Sequence, residues 1–260
     1  LKHVGGVTFK FMTNNILPQR PTLLLTRPQK DAQAFAQEVL SHQPAAQILI
    51  SPVLDITPIG TLPDLSAYAA VLFTSRHAVA CFAHAPIPPK MTCFAVGEAT
   101  AEAAKKLGFF VISSAGAAQD LILLVQKTGA AGPLIHPHGQ HSRGQIAATL
   151  TKKGIPCAEC VIYDQIETPL SLQARALFTQ PQALLLPVFS PRSARLLQRY
   201  GPLPNGSEII AISQTVAACF STQPHVKTTV ATHPNRGAML KAVLRRFQDM
   251  MLIEPKNKGT

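Results

Sequence analysis

"AVLFTSRHAVACF", residues 70–82, runs as four apolar residues, halts at Thr74-Ser75 and resumes with helical spacing. An apolar run of that length reads as a buried strand, and hydroxyls followed by a periodic stripe read as a capped helix. Residues 185–197, "LLPVFSPRSARLL", repeat the arrangement. Outward from these two stretches the same alternation fills the chain. "TLLLT" (22–26) leads to a stripe at Ala32, Phe35, Ala36, Val39 and Leu40, "TCFAV" (92–96) to "GEATAEAAKKLG", and "FFVIS" (109–113) to "QDLILLVQK". "PLIHP" (133–137) leads to "QIAATLTKKG", and "CVIYD", "ALLLPVFS", "SEIIAIS" and "KTTVAT" follow, the last three each with a helix behind. Strand–helix alternation of this kind predicts α/β architecture: parallel sheets with helices on both faces.

The pattern occurs twice. Phe73 aligns with Phe189, Ala95 with Ala211 and Leu124 with Leu240 at one offset of 116 residues (189 − 73, 211 − 95, 240 − 124), while "LLLTRP" and "PLIHPHG" correspond at about 110. Element-level matches at one offset predict two similar units with a cleft between them.

The 24 Lys and Arg against 13 Asp and Glu leave a net charge of +11, which favours an anionic partner. The basic residues are scattered or paired (Lys105-Lys106, Lys152-Lys153, Arg245-Arg246), and no Trp and three Tyr supply few stacking platforms. A small polyanion fits that pattern better than nucleic acid. No apolar stretch approaches the ~20 residues needed to cross a bilayer. The opening "LKHVGGVTFKFMTNNILPQR" carries no apolar segment of signal-peptide length, so residues 1–20 read as an extension and the expected location is cytoplasmic. Cys157 and Cys160 have the spacing of a redox pair but fall in a strand-like run, where the helix N-terminus that would activate a thiol is absent. His136, His138 and His141 lie close in sequence, but no Cys or carboxylate joins them at ligand spacing, so no metal site is expected.

In open parallel sheets ligands collect beyond the carboxyl ends of the strands, near helix N-termini. The residues at those ends are Thr26-Arg27, Thr74-Ser75, Gly97, Ser113-Ser114, Ser190, Ser213 and Thr232-His233. Ordinary helix capping explains many of the hydroxyls and Gly97. It does not explain the arginines that follow closely at 27, 76 and 192. Hydroxyls, free amides and guanidiniums together suit carboxylates. No G-x-x-x-x-G-K-S/T loop or G-x-G-x-x-G turn is present, which disfavours nucleoside phosphates.

"LLLTRP", "VLFTSRHAV", "FAVGEATAEAAKKLGF", "GIPCAECVIYD", "VFSPRSA" and "AISQTVAA" occur in an order and spacing that resemble the uroporphyrinogen-III synthase family over about residues 21–248. The resemblance implies two flavodoxin-like α/β domains, one discontinuous (21–52 with 165–248) and one continuous (55–162), with 249–260 as a tail. Two extended crossing strands would lie near 51–60 and 163–170. It implies an enzyme, a lyase that closes hydroxymethylbilane, a linear tetrapyrrole with eight carboxylates, to uroporphyrinogen III with loss of water and inversion of ring D. No metal or organic cofactor is implied, and a monomer is expected. Tyr163 falls on the family's candidate for assisting the departing hydroxyl. Thr74, Ser75, Thr100, Thr215 and Arg27 fall on substrate-site positions, with His77, Gly97, Ser190 and Ser213 beside them. His77 stands where relatives often carry Asn or Arg, His138 where many carry Arg, and "AISQ" where "AIG" is commoner. A Tyr163 merely packed at a domain edge and a Thr100 merely on a helix face are the plain readings. A non-catalytic two-lobed protein that binds a small polyanion is the competing function.

Overall fold

A computed structural model of the chain describes residues 21–252 except 115–117, 142–144, 181 and 224. The expected N-terminal extension, residues 1–20, and positions 253–260 of the expected tail lie outside the described residues. In chain order the strands are β1 Thr22–Leu25, β2 Gln47–Ile50, β3 Leu54–Pro58, β4 Ala70–Phe73, β5 Thr92–Val96, β6 Phe110–Ser114, β7 Leu134–Gly139, β8 Cys157–Glu167, β9 Leu184–Val188, β10 Glu208–Ala211 and β11 Lys227–Val230. The helices are α1 Gln29–His42, α2 Arg76–Cys81, α3 Glu98–Lys106, α4 Ala118–Lys127, α5 Ile146–Lys152, α6 Leu172–Ala176, α7 Pro191–Gln198, α8 Gln214–Ala218 and α9 Arg236–Leu252. Among the described residues no helix is long and apolar enough to cross a membrane.

The strands form two sheets, one ordered β2-β1-β9-β10-β11 and one ordered β3-β8-β7-β4-β5-β6. They belong to two compact units, the described parts of Leu1–Val53 with Pro169–Thr260, and Leu54–Thr168. The first sheet is parallel throughout; the second is parallel except for β3, which runs antiparallel along β8.

The discontinuous unit has its core where α1 and α9 cover one face of the sheet. Leu23, Leu25, Leu185 and Ile210 meet Phe35, Val39, Met239, Val243 and Phe247 there. All four residues of β1 and of β10 are buried, as expected of parallel strands covered on both faces. Each large apolar side chain removed from water contributes about 1.5–3 kcal/mol. Near the chain's exit and re-entry, the Ser51 hydroxyl accepts a hydrogen bond from the Ser171 amide at 2.9 Å, and Ser171 caps α6.

In the continuous unit strand parity divides the core. Val71, Phe73 and Ile135 face α2 and α3, through Val79, Phe82, Ala101 and Ala104. Ala70, Leu72 and Leu134 face α4 and α5, through Leu121, Val125, Ile146 and Leu150.

The two compact units are not the two copies of the sequence repeat. The first copy supplies β1, β2, β4, β5 and β6, and the second supplies β7 to β11 in the same order. Each unit takes its first-type pair from one copy (β1-β2 or β7-β8) and its three further strands from the other (β9-β10-β11 or β4-β5-β6). The expected crossing segments near 51–60 and 163–170 contain a strand pair. Leu54–Pro58 pairs with Tyr163–Glu167, from Leu54 opposite Glu167 to Pro58 opposite Tyr163, and residues 165–168, expected in the discontinuous domain, belong with the continuous unit. Sequence periodicity also passed over β2, whose residues are at most half buried, and the short α6. Positions 249–252, expected in the tail, are the last turn of α9.

One polar contact carries unusual weight in the discontinuous unit. Glu208 is buried at the start of β10, and the Arg246 guanidinium of α9 donates to both its carboxylate oxygens and to Asp249. The Lys227 ammonium stands 3.8 Å away. Arg246→Ala strands a buried carboxylate, and breaking a buried pair in this way costs roughly 3–5 kcal/mol. Lys227 places the expected loss at the low end, about 3 kcal/mol, read as a lower urea midpoint at unchanged slope.

Candidate functional site

In the continuous unit, the carboxyl ends of β4, β7 and β8 bring together residues that are far apart in sequence. β4 ends at Phe73, and Ser75, in extended conformation, caps α2 by accepting a hydrogen bond from the His77 amide at 3.1 Å. On the next strand the ladder between β7 and β8 slips: His138 stands opposite Val161 but Gly139 opposite Tyr163. The extra residue, Ile162, lets both Ile162 and Tyr163 join the core on the α2–α3 side. Gly139 makes room for the phenol. A Cβ there would lie 2.5 Å from two carbons of the Tyr163 ring, so the close approach requires glycine.

Tyr163 is 6% exposed. Burial raises its pKa, an interaction with the Ser75 hydroxyl opposes the rise, and the neighbouring Cys81 adds to it. The phenol is therefore neutral and a hydrogen-bond donor near pH 7. The His77 ring stands edge-on to it at 6.1 Å. Cys81 directs its thiol to the carbonyls of His77 and Ile162, at 3.4 and 3.8 Å. Tyr163, Ser75 and His77 thus form one cluster.

Thr74 turns elsewhere. Its hydroxyl lies 3.3 Å from Nε2 of His136, which is 1% exposed. Burial, with a smaller contribution from His138, pushes the His136 pKa down to about 4. His136 and His138 have the parity of Leu134 and so belong to the α4–α5 side. Glu159, in register with His136 on β8, brings a carboxylate to them; one ligand atom from each of the three residues lies within 4.8 Å of the others. This overturns the expectation that no carboxylate joins the histidines. The carboxylate comes across a sheet ladder, and spacing along one strand cannot reveal it.

Gly97 begins α3 with φ 76°, a left-handed conformation that favours glycine, and its amide donates to the Ser114 carbonyl at 2.9 Å. Thr100 is buried one turn into α3. The Ser114 hydroxyl, at the end of β6, is buried with no hydrogen-bond partner among the described residues.

The remaining expected residues belong to the discontinuous unit. Ser190 caps α7 by accepting from the Ser193 amide at 3.0 Å, with Pro191 opening the helix. Ser213 begins α8 without a side-chain capping bond, and Thr215 is exposed on that helix. Arg27, expected to meet a substrate carboxylate, is bound within its own unit. It pairs with Asp31 one helical turn on, at 3.1 Å, and its guanidinium lies 3.9 Å over the Phe189 ring. The arrangement holds a fixed cation at the β1 and β9 ends. All five cysteines are free thiols. Cys157 and Cys160, three apart on a strand, point to opposite faces, and burial raises both pKa values, that of Cys157 to about 12. Neither carries the signature of an activated thiol.

A family model described as uroporphyrinogen-III synthase HemD matches residues 34–241. The chain belongs to the uroporphyrinogen-III synthase family. A relative from Chlorobaculum parvum, named uroporphyrinogen-III synthase, is 26% identical over 163 residues, 57% of this chain. The match spans 65% of that relative's length. Among solved structures, uroporphyrinogen-III synthetase from Helicobacter pylori shares the fold at a TM-score of 0.61 and 17% identity, over 87% of this chain and 99% of the other. The Thermus thermophilus uroporphyrinogen III synthase aligns over 88% of this chain and 99% of its own at 13% identity, with a TM-score of 0.36. The expected family and fold class are those found.

Two outcomes test the local geometry. Gly139→Ala is expected to cost about 1–3 kcal/mol through overpacking, with the phenol displaced from Ser75, measured by denaturation and by tyrosine absorbance titration. The second concerns pH. His136 keeps a folded-state pKa near 4 against an ordinary 6.5, so between those values the unfolded chain takes up a proton that the folded chain refuses. Stability is therefore full above pH 6.5 and falls as pH drops towards 4, by about 3 kcal/mol. In metal-free buffer, His136→Asn should flatten that dependence of the urea midpoint.

Proposed function

We propose that the chain is a uroporphyrinogen-III synthase in the full sense: it cyclises hydroxymethylbilane to uroporphyrinogen III, with loss of water and inversion of ring D, in heme biosynthesis. The observation that supports this reading most directly is the buried, neutral Tyr163 set between Gly139 and the Ser75 cap. The substrate's terminal carbon–oxygen bond breaks with the electron pair leaving on oxygen, and that oxygen needs a proton or a hydrogen bond to depart as water. A phenol whose pKa is raised stays protonated and serves as that donor. Ser75 orients it, and His77 borders it.

The rest of the task is conformational. Ring A's methylene must reach the substituted end of ring D, by a route drawn through a spiro intermediate, while spontaneous closure would leave ring D uninverted. Holding the reacting ends together supplies much of the rate and nearly all of the isomer choice. In this reading Thr74, Gly97, Thr100, Arg27, Ser190, Ser213 and Thr215 bind the substrate's carboxylates and pyrroles. Hydroxyls, helix-start amides and a fixed guanidinium suit carboxylates, and the net charge of +11 draws a polyacid. No electron enters or leaves the reaction, so no redox group is required. In this reading the enzyme works in the cytoplasm as a monomer.

The test is an isomer assay on hydroxymethylbilane, comparing the wild-type chain with Tyr163→Phe. The wild type should yield the inverted isomer, and Tyr163→Phe should lower turnover by roughly a hundredfold or more, with a much smaller change in KM. A wild-type chain that binds the substrate but leaves only the uninverted isomer would be a polyanion-binding protein. Full turnover and full isomer selectivity in Tyr163→Phe would reduce Tyr163 to a packed side chain.

A further inference from the structure

His136, His138 and Glu159 are not explained by the cyclisation chemistry, and their geometry has its own logic. The two histidines alternate on β7, and Glu159 lies opposite His136 on β8. The imidazole rings are 4.9 Å apart and tilted by 39°. Each residue supplies a ligand atom within 4.8 Å of the other two.

The hydrogen bonds assign the free nitrogens. Nε2 of His136 meets the Thr74 hydroxyl, and its Nδ1 is buried with no partner among the described residues. Leaving such a nitrogen unsatisfied is costly in a residue only 1% exposed. Nδ1 of His138 lies 2.9 Å from the Gly139 carbonyl, which can only accept. That nitrogen therefore carries the proton, and Nε2 of His138 keeps its lone pair, so the backbone contact readies the histidine for a metal.

We propose that His136, His138 and Glu159 form a binding site for one divalent transition-metal ion of the zinc type, bridging β7 and β8. Two imidazoles and one carboxylate suit such an ion. Calcium and magnesium prefer shells of oxygen, and copper(I) prefers sulfur. Three protein ligands leave a fourth position for water. Metal–ligand bonds near 2.0–2.2 Å put tetrahedral ligand atoms about 3.3 Å apart, so the three groups must close by at most about 1.5 Å. Glu159 is exposed and His138 half-buried, so both can rotate inward while His136 stays fixed. The ion clamps the two strands just before the slip that presents Tyr163, and it gives the buried Nδ1 of His136 a partner.

The full-length chain, stripped with chelator and dialysed, is titrated with zinc chloride and separately with magnesium chloride by calorimetry, with thermal melting in parallel. The expected result is one zinc per chain, a higher melting temperature with zinc, and no magnesium binding. Glu159→Gln, on an exposed side chain, should weaken zinc at least about tenfold, since even changing a group that only holds a ligand in place costs roughly 10–100-fold. His138→Ala should remove the zinc-dependent melting shift, while Cys157→Ser, the nearby thiol on β8, should retain both. The proposal is overturned if zinc does not saturate, if Glu159→Gln binds as tightly as the wild type, or if Cys157→Ser abolishes binding. It is equally overturned if binding is lost only when the His141–Asp164 pair, 3.2 Å apart, is removed.

Discussion

The pairing of β7 with β8 is the contact on which the continuous unit turns. β8 is eleven residues long, and it holds β7 in parallel on one side and β3 antiparallel on the other. A regular ladder would keep Tyr163 on the face its parity dictates. The slip at His138/Gly139 turns it onto the α2–α3 side, where Gly139 alone leaves room for the ring. The same ladder, before the slip, sets Glu159 beside His136. One strand pair thereby places the phenol on one side of the sheet and the imidazoles on the other.

The exchange of strands between repeat copies has a physical consequence. Each unit needs β-strands from both halves of the chain before these interior strands are paired on both edges: β1 waits for β9, and β4 for β7. Such non-local pairings must overcome loop-closure entropy before they stabilise anything. Neither sequence copy is therefore an independent domain, although each contains all five strand types.

Charge is distributed less simply than the total of +11 suggests. Some cations are already committed to the fold: Arg246 holds Glu208, and Arg236 reaches Glu38 on α1 at 2.9 Å. Arg27 is intermediate, fixed by Asp31 and Phe189 with its side chain 16% exposed. A cation already ordered in this way loses little entropy on meeting an anion.

The sequence by itself determined the α/β class, nearly all the strands and the strand-end hydroxyls, because apolar periodicity and capping are local properties. Ser75 and Ser190 cap α2 and α7 as their positions before a helical stripe required. The ordered motifs were enough to identify the family. Local signals could not place β3 against β8, show that Arg27 would lie over Phe189, or find Gly139 under the Tyr163 ring. Nor could they join Glu159 to His136 across 23 positions of chain (159 − 136). Those facts depend on register between strands. Register is fixed by how whole faces pack, so a single residue of slip, as at His138/Gly139, moves a side chain from one face to the other. Only the folded sheet decides that.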